Sequence, residues 1–102
     1  MKVFTQSVNF NADKELVAFV ENKVGALVKY HDKIVDAEVF LKVQKTSDKE
    51  NKITEVKINI PGNELIVKRE TKTFEEGINT AVDNLKRQLK KSKEKLRDSL
   101  IS

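Results

Sequence analysis

From Phe74 to Leu100 the chain runs without a proline, and its apolar residues Ile78, Val82, Leu85, Leu89 and Leu96 recur at steps of four, three, four and seven. That spacing keeps one stripe of a long helix facing inward. Gly77 falls only in the first turn, where its weak helix propensity does little harm. Thr73 followed three residues later by Glu76 is a capping-box pattern that starts the helix there. A helix with a single apolar stripe draws its stability from packing that stripe on another layer, so the rest of the chain has to supply one.

The charges on this helix are as ordered as its apolar residues. Lys86, Lys90, Lys93 and Arg97 stand at i, i+4, i+7 and i+11 and form a basic rail along one flank of the stripe. Lys91 and Lys95 line the other flank, and Arg87 lies near the solvent pole with Asp83 one turn before it. Residues 86–97 hold seven Lys/Arg and one Glu, a net of +6 on a chain whose total is +4, which leaves −2 for everything else. A helix face that is merely solvated usually interleaves both signs for i, i+4 pairing. Like charges this dense repel one another until an anion is met, and they point to a polyanion-binding helix.

Upstream, Lys2 to Val8 reads as a strand, although Val3, Phe4 and Val8 leave its buried face open. Asn11 or Asp13 caps a first helix over about 13–30, with Leu16, Phe19, Val20, Val24 and Leu27 on one face. Lys23 falls by angle inside that stripe, so its stem should follow the core edge and its head emerge in a groove. Gly25 is a point where a neighbour can approach closely. His31-Asp32-Lys33 ends the helix.

Ile34 to Val43 alternates, with Val35, Ala37, Val39, Leu41 and Val43 inward, and Lys52 to Ile60 alternates again through Thr54, Val56, Ile58 and Ile60. Gln44 to Asn51 is a polar loop between them. Pro61-Gly62-Asn63 is a tight turn, and Glu64 to Glu70 is a fourth strand around Leu65, Ile66 and Val67. The expected fold class is α+β, a two-layer β-α-β-β-β-α sandwich with a four-stranded mixed sheet and two helices on one face. The three hairpin-linked strands run antiparallel, and the first strand lies parallel beside the second. The two helices lie side by side, leaving a groove that Lys23 and the basic rail share.

Length and composition narrow the function. The 102 residues fit one domain, and with no Trp and only six aromatics the core is mostly aliphatic. With no cysteine, disulfides, thiol catalysis and cysteine-ligated zinc are excluded, and a single histidine excludes histidine-rich metal sites. No membrane-length apolar run and no signal-peptide core are present, so a cytoplasmic protein is expected. No nucleotide-loop, serine-hydrolase or metalloprotease motif occurs, and neither an enzyme, a cofactor nor a small-molecule substrate is expected. His31 reads as a solvent-exposed or capping residue at a helix end, and Glu75-Glu76 as carboxylates complementing a helix dipole.

The stretch Ala81-Val82-Asp83-Asn84-Leu85-Lys86-Arg87-Gln88-Leu89-Lys90-Lys91-Ser92-Lys93-Glu94-Lys95 resembles the closing-helix signature of the short bacterial ribosome hibernation factors, the family of hibernation-promoting factor and the ribosome-associated inhibitor. Lys23-Val24-Gly25-Ala26-Leu27-Val28-Lys29-Tyr30 is similar to the end of that family's first helix, and Asn59-Ile60-Pro61-Gly62-Asn63 to its last hairpin. The resemblance implies binding to 16S rRNA of the 30S subunit within 70S ribosomes, in the mRNA and tRNA channel, with translation shut off in stationary phase. It implies that Arg87, Lys90, Lys91, Lys93 and Lys95 meet rRNA phosphates and that Lys23 and Lys29 join from the first helix. Lys86 completes the set from the rail, at a position where members often carry an acid. The family's usual acid and aromatic before the closing helix are replaced by Thr73 and Glu75, with the aromatic at Phe74. Because the sequence ends at Ser102, it is expected to lack the long form's dimerisation domain. It would then work as a monomer of one domain, alone or with another factor that pairs ribosomes. The rival readings are a stand-alone RNA- or DNA-binding module and a regulatory module whose rail meets an acidic protein.

Overall fold

A computed structural model of the protein describes residues 1–45 and 49–101, with side chains through Ser92. The elements follow the order β1 (Lys2–Val8), α1 (Lys14–Gly25), a 3-10 segment Ala26–Tyr30, β2 (Asp36–Val43), β3 (Lys52–Ile60), β4 (Asn63–Thr71) and α2 (Phe74–Ile101). The four strands form one mixed sheet in the order β1-β2-β3-β4. β1 is parallel to β2, and the β2–β3 and β3–β4 pairs are antiparallel.

One face of the sheet carries the core. Ala37, Val39 and Leu41 of β2, Thr54, Val56, Ile58 and Ile60 of β3 and Val67 of β4 are buried. The same apolar cluster takes in Val20 and Val24 of α1, Leu27 of the 3-10 segment, and Phe74, Ile78, Ala81, Leu85 and Leu89 of α2. Both helices therefore cover the same face, as the alternation requires. The register leaves no freedom, because a one-residue slip would turn the whole apolar set of a strand to solvent. β1 settles the face left open by its sequence: Val3 packs against the core, whereas Phe4 is 54% exposed on the other side.

Local chemistry fixes the joints. Asp13 caps α1, its Oδ1 accepting the Leu16 N–H at 2.8 Å. Thr73 Oγ1 accepts the Glu76 N–H at 3.2 Å at the start of α2. The β3–β4 loop is two residues long, since Ile60 pairs with Asn63, and Gly62 takes a φ of 75° that other residues rarely adopt. Phe74, at the start of α2, stacks on Phe10 with ring centroids 4.8 Å apart. This ties the loop before α1 to the helix that closes the layer.

Several expectations need correction. The first helix does not run to residue 30 as an α-helix; it ends at Gly25 and tightens into the 3-10 segment. The tighter winding lets Leu27 reach the core without continuing the 3.6-residue stripe. Gly25 admits no close neighbour, since a Cβ there would meet only open space. The tight approach is at Gly77, where a Cβ would fall 2.5 Å from Thr54 Oγ1 and 3.1 Å from Thr71 Oγ1. Val35 precedes β2 and is 62% exposed; its N–H bonds to the Asn59 carbonyl, and the inward alternation begins at Ala37. Of the two readings of His31, capping holds and solvent exposure does not: it is the buried C-cap of the 3-10 segment, and its Nδ1 accepts the Lys33 N–H at 3.0 Å, pinning the turn that follows.

α2 has 28 residues, a length of about 42 Å against roughly 30 Å for the longest strands. Its last buried residue among those described is Leu89.

Candidate nucleic-acid interface

The buried residues of α2 set where its cations point. Ile78, Ala81, Leu85 and Leu89 face the sheet, so Arg87, Lys90 and Lys91 are exposed and Lys86 is half-buried at the margin of the stripe. The two flanks look onto different neighbours. On one, the ammoniums of Lys86 and Lys90 lie 5.0 and 5.4 Å from the centroid of the Tyr30 ring, at the end of the 3-10 segment. On the other, Lys91 lines a shallow cleft of about 250 Å³ with Gln88 and Ser92 of α2 and Asn63 and Leu65 of β4. Arg87 stands exposed on the ridge of the helix. The basic surface therefore runs from the end of the first helical unit, over α2, to the β3–β4 hairpin.

Lys86, Arg87, Lys90 and Lys91 have no carboxylate within ion-pair distance among the described residues, where the ion pairs are those of Lys57 on the opposite face of the sheet. Cations without internal partners leave their field available to an external anion. Lys29 is exposed in the 3-10 segment, directly before Tyr30 in the chain. Lys93 and Lys95 belong to the helical run, but their side chains lie outside the described residues.

The Lys23 ammonium lies 5.8 Å from the ring of Phe19, which packs against the core one turn back on its own helix, whereas Lys86 and Lys90 converge on Tyr30. Lys23 is exposed, because Val20 and Val24 carry the buried face of α1. Tyr30 is the residue that the sequence pattern did not single out as part of the surface. An aromatic directly after Lys29 was visible, but no periodicity relates it to lysines 56 and 60 positions further on.

The chemistry available here is ionic and shape-based. Among the described residues no group of three or more His, Cys, Asp or Glu is suited to holding a metal ion, and no helix is long and apolar enough to cross a membrane. His31 spends its Nδ1 lone pair on the Lys33 N–H, and Glu75 and Glu76 are exposed in the first turn of α2, where carboxylates complement the helix dipole.

Residues 3–97 match the family described as sigma 54 modulation protein / S30EA ribosomal protein. The chain is 32% identical over 95 residues to the ribosome hibernation promoting factor of Pseudomonas putida, covering 93% of this chain and 89% of that protein. It is 33% identical over 90 residues to the ribosome hibernation promotion factor of Bacillus subtilis, covering 86% of this chain and 46% of that one. Among solved structures, the N-terminal domain of Thermus thermophilus Protein Y superposes with a TM-score of 0.72 at 26% identity, covering 88% of this chain and 93% of that domain. A ribosomal subunit interface protein from Coxiella burnetii superposes with a TM-score of 0.76 at 18% identity, covering 92% and 99% of the two chains, and shows the same fold.

Proposed function

The chain belongs to the sigma 54 modulation protein / S30EA ribosomal protein family, which includes ribosome hibernation factors, and we propose that it binds the small ribosomal subunit and holds ribosomes inactive. In this reading residues 1–102 act as one cytoplasmic, monomeric domain. It lodges against 16S rRNA in the mRNA and tRNA channel of the 30S subunit within 70S ribosomes and blocks translation in stationary phase. It works by occupying the channel, without catalysis. The observation that carries the proposal is the cluster of Lys86, Arg87, Lys90 and Lys91 on α2, none with an internal carboxylate partner among the described residues, with Lys29 exposed in the 3-10 segment. Lys93 and Lys95 join the set by their place in the helical run, and Lys23 contributes from α1.

A surface of this kind neutralises phosphates whatever the base sequence, and releases their counterions as it does so. Affinity for ribosomes should therefore fall steeply with salt. Lys90→Gln with Lys91→Gln should weaken co-sedimentation with the small subunit on sucrose gradients. It should also reduce the log–log salt slope by about 2, one unit for each phosphate that is no longer neutralised. Lys45→Gln with Lys49→Gln, in the loop between β2 and β3, removes the same charge at the sheet end where α2 begins, away from its basic run, and should change binding much less. Equal effects of the two pairs would reduce the interface to diffuse electrostatics. A protein that stays at the top of the gradient at low salt and inhibits nothing would end the hibernation reading.

A further inference from the structure

We propose that Tyr30 is a positioning residue which gathers the Lys86 and Lys90 ammoniums over its ring and presents them as one pre-arranged pair to the phosphates of an RNA backbone. The inference rests on the ribosome-binding reading and names a residue and a device that this reading does not require. Lys86 and Lys90 are one helical turn apart on the same face of α2, where two ammoniums would ordinarily repel and swing apart. Both instead lie within 5.0 and 5.4 Å of a single ring centroid. The negative face of an aromatic ring attracts cations at this range, and here it offsets their mutual repulsion.

The ring is itself held in place. Tyr30 is half-buried and packs against the apolar core, three residues after the fully buried Leu27. The residue after it, His31, is buried, and its Nδ1 bond to the Lys33 N–H fixes the direction in which the chain leaves the ring. A core-anchored ring thus restrains two lysine stems that would otherwise be rotamer-rich. Restraint before binding reduces the ordering cost when a phosphate arrives, which is the general origin of affinity gained by pre-organisation. The ring attracts an ammonium less strongly than a phosphate does, so it arranges the pair without withholding it.

The test separates the device from the function it serves. In the free protein, NMR should show the Lys86 and Lys90 side-chain methylene protons displaced by the ring current of Tyr30. Tyr30→Leu should abolish the displacement, and Tyr30→Phe should retain it. With ribosomes, Tyr30→Leu should weaken binding on the order of five- to tenfold and leave the salt slope unchanged, because no charge is removed. Tyr30→Phe should restore binding. In a Lys86→Gln, Lys90→Gln background, Tyr30→Leu should have no further effect. Absence of the ring-current displacement would overturn the device while leaving the ribosome reading intact. An equal loss from Tyr30→Leu in both backgrounds would also overturn it, since the ring would then act independently of the lysines. If the displacement is present and the Lys86→Gln, Lys90→Gln protein binds ribosomes like the wild type, this flank does not meet RNA and the proposed role falls with it.

Discussion

On the uncovered face of the sheet Lys57 lies 3.4 Å from Glu38 and 3.2 Å from Glu64, while on the outward side of α2 Lys86, Arg87, Lys90 and Lys91 meet no carboxylate among the described residues. The register explains the first arrangement. Lys2 stands opposite Asp36, Glu38 opposite Lys57, and Glu55 opposite Lys68, so neighbouring strands answer each other's charge. Asn59 adds side-chain hydrogen bonds to Asp36 and Glu38. Such a face is finished by itself. The helical face, over its described residues, is not: the Tyr30 ring offsets part of the repulsion between Lys86 and Lys90, and an anion arriving from outside relieves the rest. Two surfaces with similar numbers of lysines thus differ in what they ask of a partner.

That contrast depends on α2 being held by what lies beneath it and not by its charges. Leu85 and Leu89 are fully buried in the core cluster. Leu85→Ala or Leu89→Ala should each cost about 2–5 kcal/mol of stability, measurable by urea denaturation. Wild-type midpoints for both would mean that α2 is not anchored through its stripe, and the comparison of the two faces would lose its basis.

A smaller effect sharpens the same point at the other end of α2. At Gly77 an added Cβ would come within 2.5 Å of the hydroxyl of Thr54, which is fully buried, β-branched and stiff at χ1. Gly77→Ala gains about 1 kcal/mol of helix propensity and should lose about 1–3 kcal/mol to overpacking, so a net loss is expected. The loss should shrink in a Thr54→Ala background, because the two changes act at one shared point of packing. If Gly77→Ala is stabilising in the wild-type background, the helix does not approach the sheet as closely there as the structure places it.

These two sites also show what a sequence of this kind reveals. The stripe Ile78, Val82, Leu85, Leu89 and the alternation of β3 were legible because each reports a period set by one element alone. Ala81 and Phe74 were not part of that stripe, since a small residue and a first-turn aromatic are assigned to the core only by what faces them. The end of α1 was misplaced because 3-10 winding changes the angle per residue without changing composition. Val35 looked like one more inward residue, but the sheet register starts one position later. At the interface, the charge concentration on α2 was readable from the chain, as were the two flanks on which Lys90 and Lys91 stand. The meeting of Tyr30 with Lys86 and Lys90 is a long-range approach with no local signature. The same holds for Gly77, whose value to the fold lies in Thr54, more than twenty residues earlier.

The smallest expected effect tests the charge contrast directly, through its sign. The carboxylate of Glu64 hydrogen-bonds the Lys57 ammonium and, with the charge of Glu38, raises its pKa above the ordinary 10.5. A lysine whose folded pKa is raised contributes stability that is fully present below the unfolded value and is lost as pH rises through the folded one. Lys57→Gln should therefore melt slightly below the wild type at neutral pH and low salt, with the difference closing above pH 10.5. Because Lys57 is on the surface, salt should also close it. The pair Lys90→Gln with Lys91→Gln should show the opposite sign at neutral pH: thermal stability unchanged or slightly raised at low salt, as repulsion along α2 is relieved. Added salt should bring this pair, too, back to the wild-type melting temperature. The experiment is a set of thermal melts of three proteins at two salt concentrations, with an alkaline series for Lys57. If removing the two helix lysines lowers stability as removing Lys57 does, and salt closes that loss, those cations have carboxylate partners within the fold beyond the Tyr30 ring beside Lys90. The helical face would then be as self-sufficient as the sheet face, and its claim on an external polyanion would weaken accordingly.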